Sequence, residues 1–320
     1  MDRSIIDSGM FDSNVEFYIP NDLPPEILAY GAPLKQLEVG RAGKIGALVL
    51  RMEQNEDGEK TVVKEQYSKV PLFTQRALYL EESMPSMAYM YIISPSGGIL
   101  QGDRYRMDIT LKNKAHAHLT TQGATRIYRM ETNYATQLVN VGVDDGCYLE
   151  FVPDQIIPYR DSRFYQRVDL KVHENATMVY SEMIVPGRVA SGESFEYDIC
   201  YMKSQGRNQN HKLRFIDTAI LEPKKADLKI PGILRNFDVI GNMYILTKTK
   251  YVSELNDEIN SSLKKLSHIS GGATILPRDS GVMIRMLGRV ASDIRNAMYK
   301  IIEIVRKAVL NVSFSGIRKG

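Results

Sequence analysis

Tryptophan is absent from the 320 residues, and cysteine occurs only twice. Cys147 and Cys200 are too few for a disulfide scaffold and too far apart for a metal knuckle, so both are expected as small residues on β-strands. No apolar run approaches the ~18 residues that a membrane helix needs. The N-terminal stretch MDRSIIDSGMFDSNVEF lacks the basic-then-apolar layout of a signal peptide. A cytoplasmic protein is therefore expected, in which the triplet Asn175-Ala176-Thr177 carries no glycosylation meaning. Net charge is only +3, which points to neither a nucleic-acid footprint nor an acidic tail. With 43% apolar and 25% charged residues, the chain has the composition of an ordinary globular protein with a large core. Nucleotide, nucleophile-elbow and zinc motifs are missing too. The run Gly40-Arg41-Ala42-Gly43-Lys44 is too short for a phosphate loop and continues into Ile45.

What is present is a succession of short strands. The chain is organised around Ser94–Met130. There a turn cluster (Ser94-Pro95-Ser96-Gly97-Gly98) and Gly102-Asp103 precede a strictly alternating strand with Tyr105, Met107, Ile109 and Leu111 on one face. A polar turn at Lys112–Lys114, a second strand and the corner Thr120-Thr121-Gln122-Gly123-Ala124-Thr125 follow. Upstream, Leu48, Leu50 and Met52 alternate before Asp57-Gly58, and Val63–Tyr67 follows it, a hairpin signal. Downstream, strands are expected over Gln137–Val143, Tyr148–Val152, Phe164–Val172, Thr177–Val185, Phe195–Met202 and Lys212–Ile220.

One segment echoes another. Met107–Ala115 aligns without gaps to Val168–Ala176, each an alternating strand, a polar turn and an alanine that opens the next strand. Tyr197–Tyr201 offers a partial third copy. Such units suggest stacked layers, although any alternating strand with a charged outer face would look alike. The last third changes period. Val252, Leu255, Ile259, Leu263 and Leu266 predict a helix over Tyr251–His268. Ile294, Met298, Ile302, Val305 and Val309 predict another over Ser292–Leu310, with Ser292 placed to cap. A strand over Val282–Leu287 is expected between them, after a break at Gly271-Gly272. The fold class is thus mainly β, in β-helix-like stacked strand layers, with two α-helices in the C-terminal third. Residues 1–36, with Pro20, Pro24, Pro25 and Pro33, are expected as a poorly ordered extension, and 37–320 as a single β-rich domain.

Several residues are candidates for chemistry. His116 and His118 alternate on one strand and share a face, a spacing usable for metal, although no third ligand is evident and a surface polar pair has the same pattern. Glu182 interrupts the apolar run Met178–Val185 and faces either solvent or an interior where it needs a partner or an ion. Asp103, behind its glycines, is comparable. Arg126, Tyr128 and Arg129 form either a contact patch or a solvated surface. The glycine turn would suit phosphate if it opened a helix, but it opens a strand.

These stretches resemble the UreD/UreH family of urease accessory proteins. The resemblance rests on Pro95–Arg104, on Leu119–Arg129, on Pro153–Tyr159 with Ser162-Arg163-Phe164, and on Glu182 with Gly187-Arg188 and Ser191–Phe195. Arg285-Met286-Leu287-Gly288 and Arg306 match the family's last strand and helix, and the likeness spans roughly residues 37–320. Ser96 replaces a proline, Gln101 a glycine, Gly123 an alanine and Arg126 a lysine, and the tryptophan usual in the last helix is missing.

The resemblance implies a non-catalytic scaffold for urease maturation with a β-helix-like body and two helices. Its implied partners are apo-urease, a helical accessory protein of the UreF type and, through it, a nickel-carrying GTPase of the UreG type. It implies no tightly bound cofactor, only transient nickel, with Asp103 and Glu182 lining an internal polar path. Weak oxygen ligands suit such transit. Gly97, Gly98, Gly102, Arg104, Thr121, Thr125, Arg126, Tyr128 and Arg129 become motif or partner-contact candidates. The alternative is a β-solenoid hydrolase working through Asp103, Asp154 or Glu182, which needs two carboxylates roughly 5–9.5 Å apart beside one bond. A glycan- or peptide-binding module would need an aromatic-lined groove, which the scattered tyrosines do not predict.

Overall fold

In the computed structural model, which describes residues 15–32, 43–314 and 316, the alternating segments become strands that wind between two facing sheets. The hairpin around Asp57-Gly58 forms from β1 (Ile45–Gln54) and β2 (Thr61–Lys69), with Gly58 at positive φ. The chain continues through β3 (Phe73–Thr74), β4 (Ala88–Ile93), β5 (Arg104–Lys112), β6 (His116–Thr121), β7 (Thr125–Ile127), β8 (Ala135–Val143) and β9 (Tyr148–Phe151). It then forms β10 (Ile156–Pro158), β11 (Arg163–Val172), β12 (Thr177–Ile184), β13 (Ile199–Arg207) and β14 (Leu213–Leu221).

The first sheet has the order β14-β13-β11-β8-β5-β1-β2, with its neighbours from β1 to β13 parallel. The second sheet likewise runs parallel through β4, β6, β9 and β12. Parallel neighbours reached by crossing to the opposite sheet make a β-solenoid of about four turns.

The echo seen in the sequence is the solenoid repeat. Met107 pairs with Val139 and Val139 with Val168, so the two aligned segments lie two rungs apart. The rung between them ends on Asp144-Asp145-Gly146. Its turn makes the same bond, Cys147 N donating to Asp144 O, as Ala115 does to Lys112 and Ala176 to His173. The third copy was misplaced. The register partner of Val168 is Ser204, so Tyr197–Tyr201 lies seven residues out of step.

Two apolar layers result. Leu48, Met107, Ile109, Val139, Val168, Leu170, Met178 and Leu246 fill the space between the sheets. On the far face of the second sheet, Val179, Met183, Met243 and Ile284 pack under the helices. That sheet is completed by the antiparallel strands β15 (Val239–Leu246), β16 (Ser270–Ile275) and β17 (Gly281–Gly288). A short α1 (Pro25–Leu28) precedes the body, and the two expected helices are α2 (Thr249–Leu263) and α3 (Ala291–Leu310). No described helix is long and apolar enough to cross a membrane.

Several local readings differ from the sequence: α2 stops at Leu263 and not at His268, and the strand expected over Phe195–Met202 is β13, Ile199–Arg207. Ser292 lies inside the first turn of α3, whose N-cap is Val290 without a side-chain cap. The Gly271-Gly272 pair is not a break but lies within β16, where a Cβ on Gly271 would sit 2.8 Å from the Arg285 carbonyl. And part of the N-terminal stretch is held down. Residues 15–32 strap the outer face of the first sheet, with Tyr18 and Ile27 buried, Ile27 beside Tyr134, Tyr165 and Ile199. Asp22 pairs there with Arg167 (2.8 Å) and Lys203 (2.5 Å). Residues 1–14 and 33–42 lie outside the described part. Cys147, just before β9, and Cys200, on β13, are both buried and free, and burial pushes their thiols up to about 11 and about 12.

Candidate functional site: a glycine-cornered rim and a carboxylate in the bore

Motifs scattered over a hundred residues meet along one edge of the solenoid. Gly97 and Gly102 both adopt positive φ, which a side chain would strain. Ile99 N donates to Arg126 O (2.8 Å), and Tyr128 N donates back to Ile99 O (2.9 Å). β7 then pairs in parallel with β10, which in turn meets the end of β12 at Ile184. The next layer is Gly187, at φ 144, closed by Phe195 N donating to Pro186 O (2.7 Å).

Gly98 shows why this corner needs glycine. A Cβ there would lie 2.6 Å from the Tyr128 ring and 2.7 Å from the Arg126 carbonyl. Gly98→Ala is therefore expected to displace the Tyr128 loop and to cost about 1–3 kcal/mol, the range for overpacking. Chemical denaturation would measure the loss, and a wild-type midpoint would contradict it.

Along the rim, Tyr128 packs edge-on against Tyr159, with ring centroids 5.0 Å apart. The Arg188 guanidinium lies over Tyr159 at 4.4 Å and pairs with Glu193. Arg126 is exposed, and Arg129, with 72% of its side chain exposed, reaches Asp161 at 3.1 Å. An aromatic pair ringed by solvent-facing guanidinium groups has the composition of a protein-binding surface.

Arg104 and Asp103 are different. Arg104 is buried and donates to the carbonyls of Asp103 (3.0 Å) and Tyr134 (2.6 Å). The Asp103 carboxylate accepts from Lys44 N (2.8 Å), Leu100 N (2.9 Å) and the Tyr105 hydroxyl (3.1 Å). Burial raises its pKa, and those hydrogen bonds oppose the rise. Asp103 thus staples the glycine turn to the start of β5.

Glu182 faces the bore. It is 4% exposed, accepts from the hydroxyls of Ser204 (2.5 Å) and Tyr180 (3.1 Å), and lies on the inner face of β12. The chain of contacts continues from Tyr180 to Gln166 (3.3 Å) and on to Gln137 (3.0 Å). Burial pushes the Glu182 carboxyl up, partly offset by Ser204 and Tyr180. A cavity of about 30 Å³ runs between this polar line and the Thr121–Thr125 corner, lined by Glu182, Gln166, Thr121, Thr125 and Asp154. That is room for about one water. Thr121 also accepts from Asp154 N (2.9 Å), closing the corner. The structure therefore brings Glu182, Thr121 and Thr125 together and leaves Asp103 outside this cavity. Gln137, Gln166, Tyr180 and Ser204 escaped sequence reading, because single polar residues on inward positions carry no motif.

His116 and His118 share a face, toward the helices rather than solvent. His118 is wholly buried, its Nδ1 2.5 Å from Glu150, while half-buried His116 packs edge-on to Tyr148. Arg306 of α3 donates to both oxygens of Glu150 (2.6 and 2.8 Å), to Tyr89 (2.9 Å) and to Glu81. Burial alone would raise the Glu150 carboxyl, but Arg306 and then His118 hold it down at about 2. Among the described residues no group of three or more His, Cys, Asp or Glu is arranged to hold a metal ion.

The fold and site define a β-solenoid with a glycine-cornered rim above a polar, carboxylate-bearing bore. The family model described as UreD urease accessory protein matches residues 44–318. The chain is 41% identical to the urease accessory protein UreD of Cenarchaeum symbiosum over 284 residues, covering 89% of this chain and 99% of that protein. It is 36% identical to UreD 2 of Brucella canis over 290 residues (90% and 95%) and 34% identical to UreD of Yersinia pseudotuberculosis over 291 (90% of each). This protein belongs to the UreD family of urease accessory proteins, and its role lies in urease maturation.

Proposed function

We propose that this protein is a non-catalytic scaffold that docks apo-urease and a helical accessory protein of the UreF type, and through the latter a nickel-carrying GTPase of the UreG type. Nickel is its cargo, passed along the bore rather than stored. The observation that carries this reading is the buried Glu182 with its line of Ser204, Tyr180, Gln166 and Gln137, a polar track among the apolar residues between the sheets. Carboxylate, amide and hydroxyl oxygens are weaker nickel ligands than imidazole or thiolate, so an ion can move on. The rim of Arg126, Tyr128, Arg129 and Tyr159 supplies the docking surface, and Thr125, the neighbour of Arg126 on β7, lines the cavity that reaches Glu182.

The hydrolase reading has weaker support. Asp154 and Glu182 share a cavity of about 30 Å³, a tenth of the roughly 300 Å³ at which ligand pockets begin. Asp103 is spent on its turn.

The test of docking is a pull-down with urease and the helical accessory protein, combined with urease activation. Arg126→Glu with Tyr128→Ala is expected to abolish capture while lowering the melting temperature only modestly, by the lost Tyr128–Tyr159 packing. Full capture and full activation by that variant would refute the rim as the docking surface.

A further inference from the structure

The outer face of the first sheet carries three ladders of side chains, one per register position. Arg106, Leu138, Arg167 and Lys203 form one row, Asp108, Asn140, Asp169 and Gln205 the next, and Arg51, Thr110, Gly142, Lys171 and Arg207 the third. A cleft of about 500 Å³ lies over the last two rows. Gly142 leaves its rung without a side chain, so the cleft opens between Arg51 on one side and Lys171 with Arg207 on the other.

We infer that this cleft is a second docking site, which takes a carboxylate-bearing extended segment of a partner protein between Lys171 and Arg207. The protein's own strap shows how such a clamp is filled. Arg167 and Lys203 are register partners on β11 and β13, and together they hold the Asp22 carboxylate at 2.8 and 2.5 Å. Four residues further along the same two strands, the register partners are Lys171 and Arg207. Among the described residues, no carboxylate pairs with either; Lys171 faces the His211 ring at 3.4 Å, and Arg207 donates to the His211 carbonyl at 3.1 Å.

The acids lining the cleft are already matched. Glu65 pairs with Arg51 (2.6 Å), Asp108 with Arg106 (3.0 Å) and Asp169 with Arg167 (2.9 Å). The cationic surplus of Lys112, Lys171 and Arg207 is therefore what a ligand meets.

An extended acidic peptide fits this lining better than a phosphate compound. The central row offers the oxygens of Asp108, Asn140, Asp169 and Gln205, which can accept from the backbone N–H groups of an extended segment, whereas a polyphosphate has no donor to give them. No Tyr, Phe or Trp lines the cleft, so a nucleobase has no stacking platform. The third row crosses five strands, roughly 19 Å at the usual strand spacing, the length of about six extended residues.

The test is fluorescence anisotropy of a labelled hexaglutamate peptide with the full chain. Wild type is expected to bind it, and Lys171→Glu with Arg207→Glu to weaken binding at least tenfold and to bind hexalysine instead. Melting curves would verify folding, with Lys171→Gln and Arg207→Gln as the milder pair if the reversal misfolds. Equal binding of hexaglutamate by wild type and variant, or none by wild type, would overturn the site. Displacement by inorganic phosphate at the same ionic strength would overturn the peptide assignment. Since the readout is peptide binding and not urease activation, its failure leaves the nickel-track reading untouched.

Discussion

Replacing Arg306 by leucine is expected to lower the unfolding free energy by about 3–5 kcal/mol, the usual result of removing one partner from a buried charge cluster. Arg306 is wholly buried and is bonded to Glu150, Glu81 and Tyr89. Without it, two carboxylates stay in the interior with His118 and tyrosine hydroxyls as partners. The cluster joins α3 to the second sheet across 156 residues of sequence. The variant is thus expected to loosen the helical layer first, seen as faster amide exchange in α3. Adding Glu150→Gln and Glu81→Gln should recover part of the loss, because the charges left unpaired are then gone. A single variant as stable as wild type would mean that water reaches those carboxylates.

The same cluster sets an acid limit. The Glu150 pKa in the folded chain, about 2, lies below its ordinary value of 4.5. Its contribution to stability is complete above 4.5 and is lost as pH falls toward 2. Denaturation midpoints followed from pH 6 to pH 2 should drop across that window in wild type, and the drop should be smaller in Glu150→Gln. Parallel profiles would place the acid sensitivity elsewhere.

Glu182→Gln is expected to have the opposite pairing of effects: no loss of stability at pH 7, and urease activation reduced at least tenfold. Burial raises the Glu182 carboxyl, so its contribution is largest at acid pH and declines as pH rises through its folded pKa. An amide of the same shape still accepts from Ser204 and Tyr180 and has no charge to desolvate. The melting temperature at pH 7 should therefore equal or exceed that of wild type. If complexes with urease form but the urease lacks nickel, Glu182 acts on the cargo. If activation is normal, Glu182 serves packing and the track reading falls.

Features with a local cause are legible in the sequence, and those with a distant cause are not. Glycine turns, strands and polar corners are local, and the stretch from Ser94 to Met130 already contained the rim's first two layers. The repeat was visible because Met107–Ala115 and Val168–Ala176 stack in register, while the copy between them was hidden by its Asn140 and Gly142. The helices announced themselves by period, apart from the cap at Ser292 and the end of α2, which stops at Leu263 and not at His268.

The facing of Glu182 was beyond reach for a physical reason. All eight residues of β12 are buried, since the first sheet covers one face and the helices the other. Alternation marks direction only where one face meets water. For the same reason His118 resembled a surface residue until α3 was laid over it. By itself the sequence determined the strand–turn repeat, the glycine corners and the family. Only the tertiary structure decided which polar residues point inward, how Arg306 finds Glu150, and that residues 15–32 strap one basic row while leaving the second basic row, four residues along the strands, open, because each depends on which distant segment covers a given face.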